Sequence, residues 1–311
     1  MTHTADISGT QHVLRAGAYE AAIASVGATL RQLRHEGRDL VVPFAADEVR
    51  PAYRGTTLAP WPNRVVDGRY TFDGVEYQLA LTEPSRGHAL HGLVAWAGFA
   101  VVDESESHVT LAATIEPQEA YPWRVAVTTT FALDADNGLT QTVSATNASA
   151  TRAPFGTGPH PYLVAGEGAV DDWTLALRAD TVLGATEERL IPTELAPVTD
   201  DAERFDYREA RQIGATEIDH AYTGLARDHS GLAAAEVTDG RGHGVRMLWD
   251  ERCPWVQVHT ADLPHRGAGH RGGLAVEPMT CPPDAFNSGT DLVLLEPGTT
   301  AEVAAWTIAA I

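Results

Sequence analysis

Lysine is missing from this chain: all 22 basic residues among its 311 are arginine. With no lysine amine to form a Schiff base, a lysine-dependent aldolase and a pyridoxal enzyme are excluded. Cysteine is nearly as scarce. Cys253 and Cys281 are too few for a disulfide framework and lack the paired spacing of a structural zinc site, so the chain reads as a cytoplasmic protein in a reducing setting. Long apolar runs are absent too. The longest, LVAWAGFAVV at 93–102, is too short and glycine-broken to span a bilayer, and the MTHTADISGTQHV start has no basic segment leading into an apolar one. No G-x-S-x-G, GxxxxGK[ST] or strand-coupled GxGxxG occurs, which removes the usual marks of a serine hydrolase elbow, a P-loop and a dinucleotide fold. Positive charge is in short supply: 42 acidic residues against 22 arginines leave a formal net charge of −20. Such a surface repels nucleic acid and anionic membrane, and the expected partner is a small neutral or locally steered ligand.

What is present is strand periodicity. In WRVAVTTTFAL, Trp123, Val125, Val127, Phe131 and Leu133 share one face while Arg124, Thr128 and Thr130 take the other, the period of two of a half-buried strand. Asp136-Asn137-Gly138 then turns the chain into GLTQTVSATN, a long hairpin. A second hairpin is written in RYTFDGVEYQL, where Asp73-Gly74 supplies the positive φ of a two-residue turn. YEAAIASV, HVTLAATI, GVRMLWD, PWVQVHT, DLVLLEPG and TAEVAAWTIAA read as further strands, and ERFDYREARQIG at 203–214 as the best helix. No regular alternation of strand and helix appears, nor any repeat or linker. The expectation is an all-β fold, one large antiparallel β-sandwich over residues 1–311 with few short helices.

Four segments set histidine or carboxylate among turn-forming, otherwise apolar residues: RGHALHGLV with His91, FGTGPHPYL with His160, TEIDHAYTGL with Asp219 and LAVEPMTCPPDAFNSG with Glu277. Pro159 and Pro161 each fix φ near roughly −65° and push the preceding residue toward extended geometry, so His160 keeps little backbone freedom. Glu277 follows a short apolar stretch and precedes Pro278, a placement that holds a general base firmly. Taken singly, each segment also fits a surface turn shaped by its prolines. HTADLPHRGAGH carries His259, Asp262, His265 and His270 but no fixed ligand geometry, and it reads as a solvated or pocket-lining turn with no metal. Among Trp61, Trp96, Trp123 and Trp255, Trp61 between Pro60 and Pro62 is the one expected at a pocket rim, and the others in the core.

NRVVDGRYTFDGVEYQL at 63–79, LHG at 90–92, HPY at 160–162, Asp219 ahead of Tyr222, and VEPMT…PDAFNSG at 276–289 resemble the aldose 1-epimerases, also called galactose mutarotases, in that family's order. The resemblance runs from about residue 55 to the C-terminus. It implies a large β-sandwich whose concave face holds one monosaccharide, and a reaction with no metal or cofactor. It implies His160 as general acid and Glu277 as general base, with His91 and Asp219 holding sugar hydroxyls and Arg64, in the Asn63-Arg64 pair, binding the sugar. LAPWP stands before Asn63 where many relatives carry a glycine-arginine pair, and His88 where asparagine is common. Both are expected near the pocket rim, where they would bear on sugar preference.

The residues suit the implied reaction. Interconverting α and β anomers takes the proton from the C1 hydroxyl, protonates the ring oxygen as the C1–O5 bond opens, and rotates about C1–C2 before reclosure. One carboxylate and one imidazolium suffice, and positioned groups of this kind contribute about 10²–10⁴-fold. A nearby carboxylate is expected to raise the imidazole pKa and the imidazolium to lower the carboxylate's. Three functions follow: a mutarotase of a free monosaccharide; a hexose 6-phosphate epimerase using Arg64, Arg69 and Arg86 for the phosphate; and a non-catalytic sugar-binding sandwich. Glucose, galactose, a pentose and a phosphorylated hexose all stay open as substrates, as do a monomer and a homodimer.

Overall fold

Strand Val125–Asp134 buries every second residue, from Val125 to Leu133, and turns those between them outward, as a strand with one face on the core must. It pairs along its whole length with Gly138–Asn147, Asp134 opposite Gly138. In the second hairpin Arg69–Phe72 meets Val75–Gln78 across Asp73 (φ 48°) and Gly74 (φ 80°), the two consecutive positive φ values of a type I′ turn. The computed structural model, which describes residues 6–263 and 269–311, places a strand in each of the six other segments expected to form one: Tyr19–Ala24, His108–Ile115, Gly244–Trp249, Trp255–His259, Val293–Leu295 and Thr300–Ala310.

These strands build two large antiparallel sheets. One has nine strands, in the order Ala100–Glu104, His108–Ile115, Val125–Asp134, Gly138–Asn147, Thr300–Ala310, Gly244–Trp249, Ala233–Thr238, Thr174–Leu177 and Arg211–Gln212. The other has six: Tyr162–Leu163, Leu274–Met279, Trp255–His259, Asp219–Leu225, Ala179–Ala185 and Pro192–Pro197. A four-stranded sheet, Gln11–Ala16 to Arg38–Asp39, precedes both in the chain. One continuous apolar core draws Leu14 and Ile23 from the four-stranded sheet, Phe131, Val143 and Trp306 from the nine-stranded one, and Val256, Val258 and Val276 from the six-stranded one. This is the expected all-β sandwich, held by burial across facing sheets.

The expected helix at 203–214 is corrected. Only Ala202–Phe205 is helical, one turn opened by the Asp201 carboxylate accepting from the Arg204 N–H at 3.3 Å. Asp206 is already extended (φ −88°, ψ 101°). Tertiary contacts override the propensity of the Glu, Arg and Ala that follow: Tyr207 is buried in the core, and Arg211–Gln212 joins the edge of the nine-stranded sheet.

Candidate active site

The register of the six-stranded sheet creates the site. Directly opposed residues of antiparallel neighbours share a face. Gln257 stands opposite both Glu277 and Ala221, and Asp219 opposite His259. Val256, Val258 and Val276 point to the core, so Asp219, Gln257, His259 and Glu277 all rise from the other face. The Gln257 amide donates to Asp219 Oδ1 at 2.6 Å, and His259 Nδ1 stands 4.0 Å from the same oxygen.

The FGTGPHPYL loop brings His160 over this face. It is zipped on one side to the strand Thr57–Leu58, with Gly158 opposite Leu58 and Pro159 opposite Thr57. On the other side Tyr162 pairs with Ala275, two residues before Glu277. The Gly55 N–H donates to the His160 carbonyl at 2.7 Å. Gly158 is required by close approach, since a Cβ there would lie 2.7 Å from the Pro278 carbonyl oxygen. The result is His160 Nε2 3.4 Å from Glu277 Oε1, with both side chains buried.

A second group of residues walls the site. Asn63 (φ 54°) and His91 (φ 61°) both hold left-handed backbone, a conformation for which asparagine and histidine are among the better-suited side chains. The His91 N–H donates to the Asn63 carbonyl at 2.8 Å. Arg64 makes a two-pronged pair with Glu83, Nε to Oε2 at 2.8 Å and Nη2 to Oε1 at 3.0 Å, a geometry that fixes the guanidinium plane. The His91 and His160 rings meet edge to face at 5.0 Å. Asn63, Arg64, Asp219 and Gln257 line one cavity. All six residues singled out in the sequence, Asn63, Arg64, His91, His160, Asp219 and Glu277, thus fall in one cluster, of which Asn63, Arg64 and Asp219 line the cavity.

Burial dominates the electrostatics. It pushes the Glu277 carboxyl well above its usual range, helped by the Asp219 charge and opposed by Arg64. Burial, then the nearby His259, bring the His160 imidazole down to about 3, against the pull of Asp219. His91 is driven well below the usual range by burial and by His160, Arg64, Arg50 and His259. Asp219 also meets a burial penalty, but His259, Arg64 and the Gln257 amide outweigh it and hold the carboxyl low. The expectation that Glu277 and His160 would stabilise each other's charge is therefore reversed: desolvation outweighs their mutual attraction, and each is driven toward its neutral form. Five buried atoms of this cluster, His91 Nδ1, His160 Nδ1, Gln257 Oε1, His259 Nδ1 and Glu277 Oε2, have no hydrogen-bond partner among the described residues. Each unpaired group costs on the order of 1–3 kcal/mol, and together they match a ligand rich in hydroxyls, which donate and accept alike.

Several expectations need correction. Trp61 is not at the rim; its ring packs against Phe286 at 5.5 Å inside the core. Trp96, expected in the core, is exposed. His88 is fully buried: the Asp67 N–H donates to its Nδ1 at 3.2 Å, so its Nε2–H donates to the Arg189 carbonyl at 2.8 Å. The LAPWP segment is likewise buried, the Ala59 carbonyl accepting from the Leu93 N–H at 2.7 Å. Of the 259–270 group, His265 lies outside the described residues. Asp262 is held by Arg271 at 2.6 Å and by the Thr260 hydroxyl, and His270 Nδ1 accepts from the Leu263 N–H at 3.0 Å. Among the described residues no three His, Cys, Asp or Glu side chains gather as a metal site. Sequence reasoning misses Gln257 as a site residue and reaches His259 only as part of the 259–270 turn. The signal for both lay in PWVQVHT, whose polar residues fall two apart on one face of an otherwise apolar strand.

Comparison with known proteins agrees with this fold. The family model described as aldose 1-epimerase matches residues 10–305. The chain is 39% identical over 294 residues to the Escherichia coli K12 protein YihR, covering 94% of this chain and 90% of that protein. It is 33% identical over 226 residues to human galactose mutarotase, covering 67% and 62% of the two chains. In fold it superposes on a galactose mutarotase-like protein from Clostridium acetobutylicum with a TM-score of 0.83 at 17% identity, over 96% of this chain and 94% of that one. With the family model spanning nearly its whole length, this chain belongs to the aldose 1-epimerase family.

Proposed function

We propose that the protein is a mutarotase that interconverts the α and β anomers of a free monosaccharide, with His160 as acid and Glu277 as base. The observation that carries this reading is the 3.4 Å approach of His160 Nε2 to Glu277 Oε1, a spacing at which one side chain can reach O1 and the other O5 of the same anomeric carbon. Glu277 takes the proton of the C1 hydroxyl. The C1–O5 bond breaks with its electron pair on O5, which takes the proton of the imidazolium, and an open-chain aldehyde forms. Rotation about C1–C2 presents the other face, and the two proton transfers run backward to close the ring.

The burial shifts fit this cycle. When the pair holds one proton, burial favours it as a carboxylic acid beside a neutral imidazole. The catalytic form has that proton moved to His160, leaving a carboxylate beside an imidazolium. Ring opening discharges both groups and returns them to the neutral state that burial prefers, so desolvation strengthens the base and the acid at once.

Arg64, His91, Asp219, Asn63 and Gln257 bind the hydroxyls. The hexose 6-phosphate alternative is weaker, because Arg64 and Arg86 both pair with Glu83 (2.8 and 2.9 Å), and Arg69 bonds Gln78 on the outer hairpin at 2.8 Å. Polarimetry of freshly dissolved α-anomers of glucose, galactose, xylose, arabinose and glucose 6-phosphate tests the proposal. Accelerated decay for a free sugar is the expected result. Acceleration of none would overturn it in favour of a binding module.

A further inference from the structure

Six of the seven tryptophans are at most 4% exposed, whereas Trp96 is 54% exposed. It belongs to the same 91–99 segment as His91, and that segment is firmly tied down. The Leu93 N–H donates to the Ala59 carbonyl at 2.7 Å, the Gly27 N–H to the Ala97 carbonyl at 2.8 Å and the Phe99 N–H to the Ser25 carbonyl at 2.9 Å. The Arg50 guanidinium lies 4.3 Å from the indole centroid and is itself anchored to Thr29 Oγ1 at 2.7 Å and to the Ala95 carbonyl. A large apolar ring kept in water on a rigid support is an organised contact surface, since its burial by a ligand immobilises nothing further.

Tyr53 connects this ring to the acid–base pair. Its ring centroid lies 5.9 Å from that of Trp96, 4.6 Å from His91 and 6.4 Å from His160. Ala52 and Tyr53 both hold positive φ, 47° and 55°, an unfavourable pair for non-glycine residues that marks a functional segment when observed. On its outer side Tyr53 lines, with Glu48, Val49 and Trp96, an open cleft of ≈ 440 Å³, within the size range of small-ligand sites.

We propose that Trp96 and Tyr53 form an outer sugar subsite, which takes the second ring of a reducing oligosaccharide whose first ring lies between His160 and Glu277. The proposal rests on the mutarotase reading above. A pyranose ring presents an apolar face of C–H groups that lies flat on an aromatic ring, while its hydroxyls point outward to water and to Glu48. Continuity from Trp96 through Tyr53 to His160 makes the occupant an extension of the reacting sugar.

Mutarotation of maltose, lactose and melibiose, compared with glucose and galactose, tests this in the full-length protein. Wild type is expected to turn over at least one disaccharide with kcat/KM no lower than its monosaccharide. Trp96→Ala should lower the disaccharide-to-monosaccharide ratio of kcat/KM by about tenfold, mostly through KM, and Trp96→Phe should restore most of it. Acrylamide quenching, which reports chiefly on the one exposed indole, should be protected against by the disaccharide more than by the monosaccharide. An unchanged ratio in Trp96→Ala, or turnover of monosaccharides alone, would overturn the outer subsite and leave the mutarotase reading standing. Turnover of no sugar at all would overturn both.

Discussion

His160 Nε2 and Glu277 Oε1 stand 3.4 Å apart, though 117 positions separate the two residues in the chain (277 − 160). If this pair carries the reaction, Glu277→Gln should lower kcat by at least about 10²-fold while the sugar still binds, because the shape is kept and the base is lost. His160→Asn should do the same through loss of the acid. Stopped-flow polarimetry with parallel calorimetry of sugar binding reads both numbers. Near-full kcat in Glu277→Gln would place the base elsewhere.

The burial of the pair sets the pH range. With His160 brought down to about 3 and Glu277 pushed up, the single-proton state lies between the two titrations. The acid limb of kcat/KM then belongs to protonation of the imidazole and the alkaline limb to ionisation of the carboxyl. Nitrogen-15 spectra of the His160 ring should show a neutral imidazole from pH 8 down to 5. A titration midpoint near the ordinary value of about 6.5 would reverse this assignment.

Asp219 and Gln257 meet at 2.6 Å and are assigned to hydroxyl binding, an interaction that differs little between ground and transition states. Asp219→Asn should therefore raise KM by about tenfold and change kcat less. It also removes a charge that pushes Glu277 up, so the alkaline limb should move to lower pH. Normal KM with abolished turnover would mean that Asp219 acts on the chemistry itself.

His220 sits on the core side of the same strand, its ring 4.8 Å from Phe205. Burial, aided by Arg204 and opposed by Asp219, brings its imidazole down to about 4, while the unfolded chain titrates near about 6.5. Below that pH the unfolded state takes up a proton that the fold excludes, so stability present above pH 6.5 is lost as pH falls toward 4, by about 1–3 kcal/mol. Thermal melts between pH 7 and 4.5 should show Tm falling less steeply in His220→Phe than in wild type. Equal slopes would show that His220 does not carry this loss.

The strands and the two tight hairpins were legible because their cause is local: period-two burial in 125–133, and positive φ at Asp73-Gly74. The six clustered site residues came from motif resemblance. Gln257 was half legible. Its alternation with Val256 and Val258 marks a face, but only the pairing of Trp255–His259 with Leu274–Met279 and Asp219–Leu225 says that this face carries Glu277. The 203–214 segment misled because local helix propensity lost to the burial of Tyr207. Trp61 and Trp96 exchange their expected roles for a similar reason: Trp61 is covered by Phe286, far away in sequence, while Trp96 stays exposed with the distant Arg50 guanidinium against its ring.

Gly158 leaves no room for a side chain between its loop and the Pro278 carbonyl, where a Cβ would stand at 2.7 Å. The distance from acid to base is consequently a main-chain dimension, gauged where two stretches of backbone touch, and it does not depend on the lengths of the surrounding side chains. The hydroxyl-binding shell can then be rebuilt for a different sugar without changing that distance. A methyl group at position 158 would do the opposite, spoiling the gauge for every sugar alike.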